Sequence, residues 1–134
     1  MVDSSAYLAL LDEDDEHHTQ AQAILRQLAE QRYRQYTTSS MLIECHALIL
    51  SALGIGPAFQ FLQGIRASNT VAIRIRQSDE ERAMQILGQY SDKDFSFNDA
   101  ISFTVMERLS IRSAFTFDRH FAQYGFPPLQ PERL

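Results

Sequence analysis

The feature that most constrains the fold of this chain is the alternation of short extended segments with longer helical ones. The stretch TVAIRI at residues 70–75 alternates like a strand, whereas residues 16–31 carry apolar side chains at the spacing of one helix face. Strands that alternate with helices form βαβ units, whose strands are parallel and whose helices cover both faces of the sheet. The sequence therefore predicts an α/β fold with a parallel sheet between two helical layers.

Apolar periodicity and turn residues indicate where the individual elements lie. Strands are predicted at residues 1–2, 35–38, 70–75 and 114–117, with a further one near Leu129 in a Pro-rich tail. Helices are predicted at residues 4–11, 16–31, 41–53, 57–65, 78–90 and 96–109. Ser39 or Ser40 is the predicted cap of the third helix, and Ser78 with Glu81 forms the predicted capping box of the fifth.

Length, charge and cysteine content limit the kind of protein that this chain can be. Its 134 residues suffice for a single domain, predicted to span residues 1–134. No apolar run approaches the roughly 20 residues of a membrane span, and the start lacks a secretory signal, so a cytoplasmic location without membrane contact is expected. Cys45 is the only cysteine, which predicts a buried thiol. The net charge of −5 repels a polyanion, so a role with nucleic acid requires a cation.

Four acidic residues stand where predicted strands end or where the following helices begin. Asp3 and Asp118 directly follow predicted strands, while Glu44 and Asp99 lie in helices that begin at the same edge of the sheet. Ligand sites in open parallel sheets lie at the carboxyl ends of the strands. The sequence therefore predicts that these four carboxylates share one site.

Each of these acids also has a structural explanation that needs no function. Asp3 is able to cap the helix that follows it, Asp99 to complement the dipole in the first turn of its helix, and Asp118 to begin a turn. Glu44 is harder to explain in this way, because it lies beyond the first turn and its neighbours are nearly all apolar. For each acid taken alone, the structural and the functional interpretation both stay open.

Other polar residues provide a comparison for this argument. Helix dipole and capping account for Asp79 in the first turn of its helix. Asp94 precedes the Asp99 helix, so both a place in the cleft lining and a solvated loop are open to it, and the solvated loop is the favoured prediction. His17 and His18 have no metal-ligand partner at a useful spacing. They are predicted to face solvent at the start of the second helix.

The four acids favour a functional interpretation when they are considered together. Two unit charges 4 Å apart repel by roughly 4 kcal/mol at an effective dielectric constant of 20. A divalent cation removes this repulsion, and carboxylates without Cys or His ligands suit magnesium or manganese. Such an ion also lets an acidic site receive a phosphodiester and activates water for its hydrolysis.

Four stretches of the chain carry a family likeness. They are VDSSA at residues 2–6, the acid Glu44 in the helix after the second strand, SFNDAISF at residues 96–103 and FTFDRHF at residues 115–121. In this order and spacing they resemble the PIN domain, and specifically the VapC-type toxin ribonucleases of type II toxin–antitoxin systems. The likeness covers nearly the whole chain and implies a PIN-like three-layer α/β/α sandwich around a short, mostly parallel sheet.

The resemblance implies a role for each acid. Asp3, Glu44, Asp99 and Asp118 would form a catalytic quartet that holds one or two Mg²⁺ ions, with Mn²⁺ as a substitute. Asp3 and Asp99 are the firmest expected ligands, while Glu44 and Asp118 would bind directly or through water. Water activated by the metal would then be the nucleophile that cleaves RNA.

The resemblance extends to residues around the quartet. Ser5 and Thr116 match hydroxyl groups that are expected to support the metal ligands. Arg119 adjoins Asp118 and is the residue expected to contact RNA. The chain departs from the family in that only two residues precede Asp3, which predicts a short first strand.

Function and partners follow from the same resemblance. It implies a Mg²⁺-dependent endoribonuclease that acts as a toxin, with an RNA substrate, a cognate antitoxin and a homodimeric state. The alternative is a catalytically silent PIN-like module that binds RNA or protein. Transfer of a phosphoryl group to an aspartate is less favoured, because Ser5 stands where a haloacid-dehalogenase-like enzyme needs a second Asp and because the last lysine, Lys93, comes too early for a receiver domain.

Overall fold

The computed structural model describes residues 1–132. Within this range it contains the helices α1 (Ser4–Leu11), α2 (His18–Glu30), α3 (Ser39–Leu53), α4 (Ile55–Ala67), α5 (Gln77–Gln89), α6 (Phe97–Leu109) and α7 (His120–Tyr124), and the strands β1 (Tyr36–Thr38) and β2 (Val71–Ile73). None of the helices in this part of the chain is long and apolar enough to cross a membrane.

A short parallel sheet lies at the centre of the fold. Strands β1 and β2 pair in parallel, and the backbone N–H of Val2 donates to the carbonyl of Tyr36 at 2.8 Å. Val2 also forms a parallel bridge with Phe115, and Ala114 forms another with Pro128 in the tail. The prediction of a short parallel sheet is confirmed, including its short first segment and the extended segment in the tail.

Two hydrophobic clusters cover the two faces of this sheet. One joins α1, α2, α3 and α4 and includes Ala6, Ile24, Met41 and the fully buried Cys45. The other joins α5, α6 and α7 around Phe103. The molecule therefore has the predicted helix, sheet and helix layers.

The start of α3 differs from the predicted one. Three hydroxyl residues follow one another here, and the cap is Thr38, whose Oγ1 accepts from the N–H of Met41 at 3.0 Å, rather than Ser39 or Ser40. Ser39 instead accepts from the N–H of Ile75 at 3.4 Å. Strand β2 is shorter than the predicted strand at residues 70–75 and ends at Ile73.

The start of α5 also differs, because the capping role belongs to Asp79 and not to the pair Ser78 and Glu81. The carboxylate of Asp79 accepts from the N–H of Arg76 at 3.0 Å. It also accepts from Nε and Nη2 of Arg108 on α6, both at 2.9 Å, while only 2% of the residue is exposed. Burial alone would raise the pKa of Asp79, but the Arg108 guanidinium outweighs burial and lowers it. The prediction that helix dipole and capping account for Asp79 was therefore incomplete, because Asp79 also pairs with Arg108.

Two further predictions about polar segments were wrong. The segment after Asp118 contains α7, whose five residues are too few to show helical periodicity in the sequence. The prediction that His17 and His18 face solvent was wrong in part, because both are only partly exposed. Nδ1 of His18 lies 2.7 Å from the carbonyl oxygen of Ala9, and the ring of His17 packs against Phe117.

Candidate active site

All four acids predicted from the sequence lie at one edge of the sheet. Asp3 follows the segment of Val2, and Asp118 follows the neighbouring segment, while Glu44 and Asp99 lie near the starts of α3 and α6. The carboxylates of Asp3, Asp99 and Asp118 all lie close enough to Glu44 to act on its charge. The fold thus brings the four residues to the same edge of the sheet, and their role as one shared site stays a prediction.

Asp3 is fixed by two hydroxyl groups. Its Oδ2 accepts from Oγ of Ser5 and from Oγ1 of Thr116, both at 2.9 Å, and only 4% of the residue is exposed. The two hydroxyls lie 3.2 Å apart, so they form one network around the carboxylate. Ser5 and Thr116 therefore contact Asp3 as the sequence predicts, and their hydrogen bonds hold it in one orientation.

Glu44 is fixed by an amide that the sequence analysis did not identify. Nδ2 of Asn98 donates to Oε2 of Glu44 at 2.8 Å. The Oδ1 atom of the same amide accepts from Oγ of Ser40 at 2.8 Å, and Ser40 lies 3.1 Å from Oγ1 of Thr38. A chain of polar contacts thus leads from the cap of α3 to the carboxylate of Glu44.

Asp99 belongs both to the start of α6 and to the cluster of acids. Oγ of Ser96 accepts from the N–H of Asp99, and the N–H of Ser96 donates to Oδ2 of Asp99, each at 2.9 Å. This reciprocal pair is a capping box, so the predicted start of the helix at Ser96 is confirmed. The structural and the functional interpretations of Asp99 are therefore compatible.

His120 on α7 contacts two of the acids. Its Nδ1 lies 2.8 Å from Oδ2 of Asp99 and 3.2 Å from Oδ1 of Asp118, and its Nε2 lies 3.1 Å from Oδ1 of Asp94. Burial acts to lower the pKa of His120, but the carboxylates of Asp118 and Asp99 outweigh it and raise the pKa. The imidazole is thus held between three carboxylates, which favour its protonated form.

The crowding of acids changes the proton affinity of two of them. Burial raises the pKa of Asp3, and the Asp99 carboxylate adds to this effect, although the surrounding hydroxyl groups oppose it. Burial also raises the pKa of Glu44, and the other three carboxylates add to it against the hydrogen bond from Asn98. Burial is the largest cause of both shifts, and the neighbouring carboxylates add to it.

The donor set of this cluster fits a small divalent cation. Carboxylate oxygens are the preferred ligands of magnesium and manganese, and the site offers four carboxylates from four separate segments. Ligand atoms of Asp99, Asp118 and His120 lie within 4.8 Å of one another. Asp3 and Glu44 lie outside this group of ligand atoms, and Nδ1 of His120 competes with an ion for the oxygens of Asp99 and Asp118.

An open cleft with a volume of about 590 Å³ adjoins the acids. Its lining includes Ser5, His17, Phe117, Asp118, Arg119 and His120. The side chain of Arg119 is 72% exposed, and its Nη2 lies 3.5 Å from the equally exposed Asp94. Asp94 therefore lies in an exposed loop, as predicted, and this loop also lines the cleft; Arg119 lies beside the acids as the sequence predicts.

The sequence analysis missed the positions of Asn98 and His120 in the site. Asn98 meets Glu44 across 54 positions of the chain, and no local pattern predicts such a contact. A signal for His120 exists, because it follows Asp118 by two residues and its N–H donates to the Asp118 carboxylate at 2.9 Å. This geometry is an Asx turn, which directs the imidazole back towards the acid.

Known proteins match both the sequence and the structure. The PIN domain family model matches residues 1–127. The 23S rRNA-specific endonuclease VapC20 of Mycobacterium tuberculosis, from the strains CDC 1551 / Oshkosh and ATCC 25618 / H37Rv, is 32% identical over 132 residues, which cover 98% of this chain and 98% of that protein.

The solved structures agree with this match. The crystal structure of Mycobacterium tuberculosis VapC20, described as a sarcin–ricin loop cleaving toxin, superposes with a TM-score of 0.87 at 27% identity, over 97% of this chain and 98% of that chain. The three-layer α/β/α architecture is thus the PIN fold. The chain therefore belongs to the PIN domain family and is a homologue of the VapC20 endonuclease toxin.

Proposed function

We propose that this protein is a Mg²⁺-dependent endoribonuclease, the toxin of a toxin–antitoxin pair, and that its substrate is 23S rRNA at the sarcin–ricin loop. The observation that carries the proposal is the convergence of four carboxylates from four segments at one edge of the sheet. The similarity to VapC20 over almost the entire length supports the same substrate. Mn²⁺ is expected to replace Mg²⁺, because both ions prefer oxygen ligands.

Asp3, Glu44, Asp99 and Asp118 are the residues that would hold the ion. When bound, magnesium neutralises these carboxylates and the approaching phosphodiester, and it activates water for in-line displacement at phosphorus. The protein's own contribution is to fix the ligands before the substrate arrives. Asp3 is held by two hydroxyl donors at 2.9 Å, and Glu44 by an amide donor at 2.8 Å.

Two cationic side chains contribute to substrate binding in this proposal. The exposed guanidinium of Arg119 is free to exchange Asp94, at 3.5 Å, for an RNA phosphate, with which it forms paired hydrogen bonds. The carboxylates of Asp118 and Asp99 raise the pKa of His120, which favours the cationic form of its imidazole beside the cluster. Together they offset part of the repulsion between an acidic protein and RNA.

RNA cleavage by the purified protein tests this proposal. The protein is incubated with ribosomes and with a sarcin–ricin hairpin in Mg²⁺ or Mn²⁺, beside an EDTA control and the variants Glu44→Gln and Asp99→Asn. We expect one cut in 23S rRNA, lost in EDTA and in both variants. Glu44→Gln is the cleaner variant, because Asp99 also caps α6. Binding of the hairpin without a cut would favour the catalytically silent module, and absence of metal binding would refute the quartet.

Protein partners are part of the same proposal. We infer that the protein forms a homodimer, binds a cognate antitoxin, and acts in the cytoplasm, where ribosomal RNA lies. Large apolar side chains exposed on α3 and α4 support protein contacts, namely Ile43, Ile55 and Phe59, which are 73%, 79% and 59% exposed. Light scattering on the purified protein should give the mass of two chains, and a mass of one chain would argue against the dimer.

A further inference from the structure

Two aromatic rings stack on each other in the wall of the cleft beside the acids. The imidazole of His17 and the phenyl ring of Phe117 have centroids 4.4 Å apart and planes inclined by only 2°. His17 precedes α2, and Phe117 directly precedes Asp118. The stack thus joins the segment between α1 and α2 to the acidic edge of the sheet.

Backbone hydrogen bonds hold both residues of the stack in place. The N–H of Phe117 donates to Oγ of Ser5 at 2.9 Å, and Ser5 is the residue that also holds Asp3. The N–H of His17 donates to Oδ1 of Asp15 at 2.8 Å. The two rings therefore have fixed positions relative to the acids before any ligand binds.

The stack is accessible from the cleft. Both rings line it together with Asp118 and Arg119. Phe117 covers one face of the imidazole, yet 38% of the His17 side chain remains exposed. The volume of about 590 Å³ lies within the range of small-ligand sites, so a nucleobase has room against the ring.

We propose that the His17–Phe117 stack is a nucleobase platform. An unpaired base of the substrate RNA, adjacent to the phosphodiester that is cut, stacks against the part of this aromatic pair that lines the cleft, while Arg119 contacts a neighbouring phosphate. This inference rests on the proposed function and deepens it, because it assigns selection of an unpaired base to a named pair of residues. His17 is thus a substrate-binding residue at a site formed by the first inter-helix segment.

The chemistry of RNA recognition supports this assignment. Proteins that read single-stranded RNA stack splayed bases on aromatic rings, including those of histidine, and on guanidinium planes. Removal of one such ring weakens binding by about 5- to 150-fold. Every base has a π-face, so the platform is expected to select an unpaired nucleotide rather than one base identity.

Cleavage kinetics on a sarcin–ricin hairpin test the platform. His17→Ala should raise KM by about 5- to 150-fold and leave kcat unchanged, because stacking contributes equally before and during the reaction. His17→Tyr keeps an aromatic ring and should keep the wild-type KM, whereas His17→Leu should resemble His17→Ala. Tyr33→Ala, which removes an exposed ring from the segment after α2, is the matched control.

Hairpins with single abasic nucleotides test the same idea on the wild-type protein. Loss of the base adjoining the cut should raise KM more than loss at other loop positions, and His17→Ala should remove that difference. An unchanged KM for His17→Ala, equal losses in His17→Tyr, or a uniform response to abasic sites would overturn the platform while cleavage itself stands. If the wild-type protein cuts no RNA, the proposed function and the platform both fail.

Discussion

Replacement of Asn98 by Ala is expected to weaken both metal binding and RNA cleavage. Nδ2 of Asn98 donates to Oε2 of Glu44 at 2.8 Å, and Oδ1 accepts from Ser40 at 2.8 Å. A hydrogen bond to a charged group contributes about 1.5–3 kcal/mol, which corresponds to about 10- to 150-fold in an equilibrium constant. Changes to residues that orient metal ligands usually alter affinity or activity by about 10- to 100-fold. We expect a loss in this range.

Related variants separate the two hydrogen bonds. Asn98→Asp keeps the shape and the acceptor for Ser40, but it replaces the donor with a second carboxylate beside Glu44, so cleavage should fall further than in Asn98→Ala. Ser40→Ala keeps the Asn98 donor to Glu44 and removes only the hydroxyl that holds the Asn98 amide, so cleavage should fall less than in Asn98→Ala. Asn69→Ala, which changes an exposed asparagine before β2, should behave as the wild type.

Titration calorimetry with Mg²⁺ or Mn²⁺ and initial rates of hairpin cleavage measure these effects. Thermal unfolding of each variant shows whether α6 is intact. Wild-type metal affinity and kcat/KM in a folded Asn98→Ala variant would refute the idea that this amide orients Glu44. Equal losses in the Ala and Asp variants would refute the part of the argument that concerns charge.

Three further predictions concern stability. Arg108→Met removes the charged partner of the buried Asp79 carboxylate and should lower the free energy of unfolding by about 3 kcal/mol, measured with denaturant; a change near zero would contradict the pair's importance. Phe103→Ala leaves a cavity in the second hydrophobic cluster and should lower the free energy of unfolding by about 3–5 kcal/mol. An unchanged midpoint of thermal unfolding would contradict this prediction. The raised pKa values of Asp3 and Glu44 mean that the folded protein holds their protons more tightly than the unfolded chain, so their contribution to stability is present at acidic pH and is lost as pH rises through the folded-state pKa values. In EDTA, the midpoint of thermal unfolding should therefore fall as pH rises through this range. The fall should be smaller in Glu44→Gln, and an equal fall in that variant would contradict the reasoning.

Local signals were sufficient to predict the elements and the position of each acid. The start of α6 could be predicted because its capping box lies within four consecutive residues, from Ser96 to Asp99. Asp3 and Asp118 could be assigned to the sheet edge because extended segments directly precede them. The metal-binding and catalytic roles of these acids, and the extent of the domain, stay predictions.

Contacts between distant segments could not be predicted in the same way. The pairing of Asp79 with Arg108 spans 29 positions, and either residue alone has the features of an ordinary helix surface. The cap of α3 was ambiguous for a different reason. Three hydroxyl residues in succession have nearly equal capping ability, and only the extended backbone of Thr38, with ψ 158°, decides between them.

The Asp99 carboxylate contacts both the start of α6 and His120, and this affects which acids are expected to persist as the family diverges. Its Oδ2 closes the first turn of α6 and also lies 2.8 Å from His120. Loss of a helix cap usually destabilises a protein by about 0.5–2 kcal/mol, so selection for a stable fold would preserve this acid in descendants that no longer cut RNA. Glu44 caps no helix and is exempt from that selection, because α3 is capped by Thr38. On the proposed catalytic role of both acids, an intact acid at position 44 is therefore expected to be a better sign of retained cleavage among relatives than one at position 99.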